Sequence, residues 1–241
     1  MHDIRAIREN PAAFDAGLKR RGIADHGVTL NNRRFTMTTA HQADALPRTV
    51  LEMAGAPLDI ARLSDAVLLI IDAQREYVDG KLPLAGIDAS LAVGGTLLAR
   101  ARAAGTPVVH VLHRGGGPLF NPEEPWFQPA APLIPQDGEA IVEKTMANAF
   151  AGTDLQNVLE KIGRKKLIVI GYMTHNCVSS TVRAAKELGY ATTVVAPATG
   201  TRDLPDGRGG MIAAAQIQAA CLVGLSDTMA QIVWDTEAIQ D

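Results

Sequence analysis

Cysteine and aromatic residues are scarce in this 241-residue chain: there are two cysteines, and Phe, Tyr and Trp together make up 4%. Two cysteines cannot build the disulfide framework that stabilises small secreted domains, so a reducing, cytoplasmic location is expected. No apolar run approaches the ~18 residues of a membrane span. The charged opening MHDIRAIREN carries no apolar stretch of a secretory signal. A formal net charge of −3 leaves no basic footprint for nucleic acid or an anionic membrane. The one tight basic cluster, Arg164 to Lys166, directly precedes a strand pattern and reads as a solvated loop. There is no G-x-x-x-x-G-K-[ST] phosphate loop, and GGG at 115–117 follows a strand without opening a helix. No G-x-S-x-G elbow occurs either. What remains is a small-molecule protein with no implied cofactor.

A chain with 47% hydrophobic and 20% charged residues can bury a real core, and one α/β domain is expected. The first 36 residues stand apart. MHDIRAIRENPAAFDAGLKRRG is polar with little apolar face, and its first 22 residues resemble the start of bacterial seryl-tRNA synthetases. The catalytic motifs of that enzyme and the long heptad hairpin of its tRNA-binding arm are missing. Residues 1–36 therefore read as a leader or fusion segment, with Met37 a natural start and 37–241 the domain. From Arg62 strands and helices alternate. AVLLIID (66–72) is a continuous apolar run, as in a strand buried on both faces. SLAVGGTLLARARAAG (90–105) has helical spacing and a terminal Gly105. TPVVHVLH (106–113) is the next strand. The Gly/Pro-rich segment 114–138 cannot be regular structure, and loops of that length usually bind or cover something. Strands at 139–145, 165–172, 190–198 and 230–234 alternate with helices at 152–163, 176–189 and roughly 209–224. Thr153 or Asp154 caps the first of these helices. The pattern predicts a three-layer αβα, Rossmann-like fold around a mostly parallel sheet of about six strands.

In such sheets ligands sit beyond the carboxyl ends of the strands. Asp72, Lys144 and Cys177 all stand at such ends. Taken singly, Asp72 could be a helix cap, Lys144 a surface lysine and Cys177 buried packing, as Cys221 is expected to be in the apolar run AAAQIQAACLVGL. Together they place an acid, an amine and a thiol on one rim. A helix beginning near Asn176 would direct free N–H groups at the Cys177 sulfur, which with Lys144 would lower the thiol pKa. Asp72 could take the thiol proton and return it to a leaving amine.

These residues carry a family resemblance. LLIIDAQREYV (68–78), VEKTMANAFAGTDL (142–155) and GYMTHNCVSSTVRAAKELGY (171–190) resemble the isochorismatase-like cysteine hydrolases, from about Met37 to the C-terminus. The resemblance implies Asp72 as general acid/base, Lys144 as its cationic partner and Cys177 as nucleophile. It also implies a cis peptide between Tyr172 and Met173, and an oxyanion hole formed by the amides of Met173 and Cys177. The implied activity is a cysteine-dependent amidohydrolase that cleaves an amide, carbamoyl or lactam C–N bond through a thioester, in a homo-oligomer. Two alternatives stay open: a vinyl-ether hydrolase of isochorismatase type using Asp72 without the cysteine, and a non-catalytic binding protein on the same fold.

The substrate wall is expected from residues flanking the triad and from the long loop: Gln74, Tyr77, His113, Trp126, Phe150, Thr174 and His175. Gln74 would orient Asp72 or the substrate, and Thr174 and His175 would touch substrate or order the turn. Phe120 and Phe127 share the loop with Trp126. The Asp-x-His metal motif of nicotinamidases is absent. His110 and His113, three apart on a strand, face opposite sides, so no catalytic metal is expected.

Overall fold

Six consecutive apolar residues, Ala66–Ile71, form strand β1 at the centre of the sheet, and every one of them is buried. The structure, a computed structural model, describes residues 46–241, with Pro47–Asp241 forming one compact unit. The expected leader 1–36 and the start at Met37 lie outside the described residues. The other strands of the main sheet are β2 (Val108–His113), β3 (Ala140–Lys144), β4 (Lys166–Tyr172), β5 (Ala191–Gly200) and β8 (Gln231–Val233). Their spatial order is β3-β2-β1-β4-β5-β8, with every pairing parallel. The expected six-stranded α/β architecture is present. A two-stranded hairpin, β6 (Leu204–Pro205) with β7 (Met211–Ile212), stands apart from it and was not anticipated.

Parallel strands need crossovers, and these cover both faces of the sheet. The helices are α1 (Val50–Met53), α2 (Ile87–Ala103), α3 (Leu155–Ile162), α4 (Ser179–Glu187) and α5 (Ala214–Ser226). The two-residue period of β1 divides its side chains between two cores. Leu68 and Ile70 pack with Leu91, Leu97 and Leu98 of α2. Val67, Leu69 and Ile71 pack with Leu155 and Leu159 of α3, Val182 of α4, and Leu222 and Leu225 of α5. Each fully buried side chain of this size contributes roughly 1.5–3 kcal/mol, so the alternation fixes the register of the central strand. The α2 helix ends as expected, with Gly105 just beyond it at φ +66°. The first turn of α3 is held by Thr153, whose Oγ1 accepts from Leu155 N at 3.2 Å, and Asp154 makes no side-chain cap bond.

Two expectations for helical segments change. The segment after β4 begins at Thr174, as a wide π-type turn Thr174–Val178 that continues into α4. Cys177 is therefore the fourth residue of a helical segment that starts two residues earlier than expected, still within its first turn. Cys221, expected in the core, is partly buried and packs against the edge of the second core, with its Sγ 3.3 Å from Thr174 O. The segment 114–138 carries a 3₁₀ turn at Pro125–Phe127 and a bridge between Gln74 and Pro129. No helix among the described residues is long and apolar enough to cross a membrane.

Candidate active site

The order β3-β2-β1-β4-β5-β8 reverses direction at β1, because β2 follows β1 on one side and β4 lies on the other. Chain segments leaving β1 and β4 diverge there and open a crevice at the carboxyl ends. Asp72 is the first residue past β1, and the turn bearing Cys177 starts just past β4. Close approach of these two strands requires a glycine. Gly171 has φ +117°, and a Cβ there would lie 1.9 Å from Ile71 O, beside the ladder irregularity between Val169 and Gly171. Asp72 itself takes a left-handed φ of 50°, a region that aspartate tolerates better than most residues. The peptide between Tyr172 and Met173 is cis, as the resemblance implied.

Lys144 ends β3, two strands from β1, a lateral span of about 10 Å. Only a long stem crosses that distance, and the lysine passes over the end of β2 to place Nζ 2.7 Å from Asp72 Oδ2. Both side chains are fully buried. Nζ also lies 3.2 Å from Cys177 Sγ and 3.1 Å from His113 Nδ1. The structure thus brings together the three strand-end residues picked out in the sequence, and adds His113. His113 pairs in register with Lys144 across the β2–β3 ladder, so their side chains share a face.

Burial sets the electrostatics. It raises the Asp72 carboxyl above the ordinary carboxylate range, while the Lys144 charge and hydrogen bond and the Cys177 thiol draw it back. The ammonium contact is close, yet neither Asp72 oxygen has a hydrogen bond of good angle. The pair is therefore an ion contact more than a directed bond. The expectation of a lowered thiol pKa at Cys177 is overturned. Burial, followed by the negative charge of Asp72, pushes it up to about 12, and Lys144 only partly offsets them. The physical reason is position: the sulfur is buried inside the π-type turn, beside an anion as well as a cation. Cys177 rests as a thiol next to a carboxylate of raised basicity. His113 is pulled down to about 4 by burial and then by the Lys144 charge, so its imidazole is neutral near pH 7.

A cleft of about 470 Å³ opens over this group. Tyr77, His113, Phe120, Met173 and Cys177 line it, together with Gly115–Leu119 positions of the long loop and Arg202. Of the expected wall residues, Tyr77 and His113 are therefore present. Tyr77 is buried and packs edge-on against Phe120 and Tyr172 at 5.1 and 5.8 Å. The other five do not line the cleft. Gln74 is fully buried with its amide committed elsewhere. Nε2 donates to His113 O and Phe127 O, and Oε1 accepts from His113 N. It clamps the end of β2 to the loop and does not orient Asp72 through its side chain. Trp126 lies under the Lys81 ammonium, 5.2 Å from its ring centroid. Phe150 stacks on Tyr190 at the second core. Thr174 donates to Gly200 O at 3.0 Å, and His175 Nδ1 pairs with Thr201 Oγ1. Both order the turn, one of the two roles expected of them.

Arg202 was missed, although the rule that found the triad would have found it: it stands two residues past the end of β5. Its Nε is buried without a hydrogen-bond partner, and it forms no ion pair among the described residues. Glu76, also unforeseen, is buried and accepts from Lys81 N at 2.7 Å and Phe120 N at 2.9 Å, which holds the loop over the cleft.

Asp72, His113 and Cys177 offer one ligand atom each within 4.8 Å of one another, a spacing that a metal ion could use and that the sequence did not suggest. Lys144 Nζ contacts all three, so a fixed cation already stands at their point of convergence. A divalent ion there would face a buried ammonium, and the donor set does not fit it.

A parallel six-stranded α/β sheet with a switch-point crevice defines the class as Rossmann-like. Residues 66–223 match the isochorismatase domain family, and the chain belongs to that family. It is 40% identical over 183 residues to the secreted isochorismatase effector Isc1 of Verticillium dahliae, covering 75% of this chain and 94% of that protein. It is 31% identical over 153 residues to the maleamate amidohydrolase of Pseudomonas putida, covering 56% and 72%. The crystal structure of an isochorismatase from Pseudomonas putida KT2440 superposes with a TM-score of 0.77 at 42% identity, covering 80% of this chain and 100% of that one.

Proposed function

We propose that the protein is a cysteine-dependent hydrolase that cleaves a C–N bond, amide, carbamoyl or lactam, of a small molecule. The observation that carries this reading is the contact of a buried acid, ammonium and thiol at the floor of the cleft. A relative named as an amidohydrolase supports it. Asp72 removes the Cys177 proton as the sulfur attacks the carbonyl carbon, since a thiol held near 12 is not ionised beforehand. The Met173 and Cys177 amides hold the oxyanion; the Met173 N–H bonds to no protein acceptor among the described residues. Lys144 balances the charge that moves between sulfur and carboxylate. Asp72 returns the proton to the leaving nitrogen, and water then hydrolyses the thioester. The Arg202 guanidinium in the cleft wall, whose Nη1 donates to Asp203 O while its buried Nε has no partner among the described residues, favours a substrate bearing a carboxylate or another anionic group.

The protein acts in this reading as a homo-oligomer in the cytoplasm. Both cysteines are free thiols, and Val223 of α5, Met211 and Trp234 expose large apolar surface. The test is a panel of anionic, neutral and cationic small amides, carbamoyl compounds and lactams, scored for ammonia or amine release with Cys177→Ala as control. Turnover that is lost in Cys177→Ala and is fastest on anionic members is the expected result. Full turnover by Cys177→Ala on isochorismate, with none on amides, would favour the vinyl-ether reading. No turnover on any member by a protein that binds them would favour the non-catalytic one.

A further inference from the structure

Lys144 Nζ has three close neighbours: Asp72 Oδ2 at 2.7 Å as an ion contact, Cys177 Sγ at 3.2 Å and His113 Nδ1 at 3.1 Å. An ammonium is donor-only, so a contact with imidazole nitrogen requires a lone pair on that nitrogen. This determines the tautomer: Nδ1 of His113 accepts, and its proton resides on Nε2. The ring is held from other sides as well. The His113 backbone is clamped by Gln74, with N donating to Oε1 at 2.8 Å and O accepting from Nε2 at 3.1 Å. Phe120 packs edge-on against the imidazole at 5.1 Å and 82°.

We propose that His113 is a fourth, positioning member of the site: its neutral imidazole takes the third N–H of Lys144, aims the ammonium at Asp72 and Cys177, and turns Nε2–H away as a fixed donor. The groups around it are Asp72 past β1, Lys144 on β3, and Cys177 in the turn after β4, with Tyr77 and Arg202 lining the same cleft. Asp72 and Cys177 are the other two groups in contact with the ammonium. Protonating Nδ1 would set a cation against the ammonium and swing it off the sulfur. The depressed pKa, about 4, keeps that state unpopulated near neutral pH. An asparagine places Oδ1 where Nδ1 stands, one bond from Cγ, and cannot titrate. A leucine fills the space and leaves the third N–H without an acceptor.

The positioning role in turnover rests on the hydrolase reading, whereas the tautomer and the reactivity of the sulfur do not. Both can be measured on the full chain without a substrate. Long-range ¹H–¹⁵N spectra of the ¹⁵N-histidine-labelled protein between pH 5.5 and 8 should show His113 as the Nε2–H tautomer throughout. An Nδ1–H tautomer, or a titration midpoint near the ordinary 6.5, would overturn the proposal. Iodoacetamide alkylation of Cys177 should be slower by roughly tenfold or more in His113→Leu, the scale of a lost charge-assisted hydrogen bond. His113→Asn should restore the rate to within about threefold of the wild type. Leucine at the wild-type rate, or asparagine no better than leucine, refutes the positioning role. An Nε2–H tautomer with the Asn rescue, in a protein inactive on every amide, would remove the hydrolase reading and leave this one standing.

Discussion

Replacing Lys144 by methionine keeps most of the stem and deletes the charge 2.7 Å from a fully buried carboxylate. The protein can then hold Asp72 as an unpaired buried anion, which typically costs about 3–5 kcal/mol, or protonate it. Protonation limits the loss. Keeping Asp72 neutral when the unfolded group titrates at 3.8 costs about 1.36 kcal/mol per pH unit above that value. The limit is about 4.4 kcal/mol at pH 7 and about 1.6 kcal/mol at pH 5. The sign follows from the raised folded pKa: stability is fully present below 3.8 and is lost as pH rises toward the folded value. For a domain of this size that corresponds to a melting temperature lower by about 9–18 °C at pH 7, and by only about 3–6 °C at pH 5. Urea unfolding followed by far-UV circular dichroism at the two pH values measures this directly. Asp72→Asn combined with Lys144→Met removes the titrating group, so its stability loss should be smaller at pH 7 and flat with pH. A Lys144→Met loss that is independent of pH, or smaller than about 1 kcal/mol at pH 7, would refute a buried, charge-balanced pair.

Asp72→Asn should preserve the fold and cut amide turnover by about 10²–10⁴-fold, the usual worth of a general acid/base, and turnover within tenfold of wild type would remove Asp72 from the proton path. Turnover should survive exhaustive dialysis against EDTA, because Lys144 occupies the point where Asp72, His113 and Cys177 converge; loss of activity restored by zinc would show that a metal displaces the ammonium. Deleting residues 1–36 should leave the melting temperature and turnover unchanged, and an early-melting or dissociated product would make that segment structural.

Much of the scaffold was legible in the sequence because it depends on local, repetitive chemistry. The run Ala66–Ile71 reads as a strand buried on both faces, and the alternation after it implies a parallel sheet. Strand ends then mark the rim, which is why Asp72, Lys144 and Cys177 could be picked out as residues that the fold might gather. Side chains whose partners lie far along the chain were not legible. Gln74 reads as a polar neighbour of Asp72, yet its hydrogen bonds go to His113 and Phe127. Trp126 and Phe150 read as pocket aromatics, yet the path of the backbone carries them to Lys81 and Tyr190. The Cys177 thiol is the sharpest case. Sequence places a cysteine near the start of a helix and a lysine at another strand end of the same rim, both of which would lower a pKa. Only tertiary packing shows how deeply the sulfur is buried and that the Asp72 charge stands beside it, and together these outweigh Lys144. Sequence by itself thus determined the sheet, its rim and the residues standing on it, since periodicity and strand termini are properties of neighbours in the chain. Which of those residues face one another, and in which protonation state, was decided by the tertiary structure, because desolvation and charge coupling depend on distance in space.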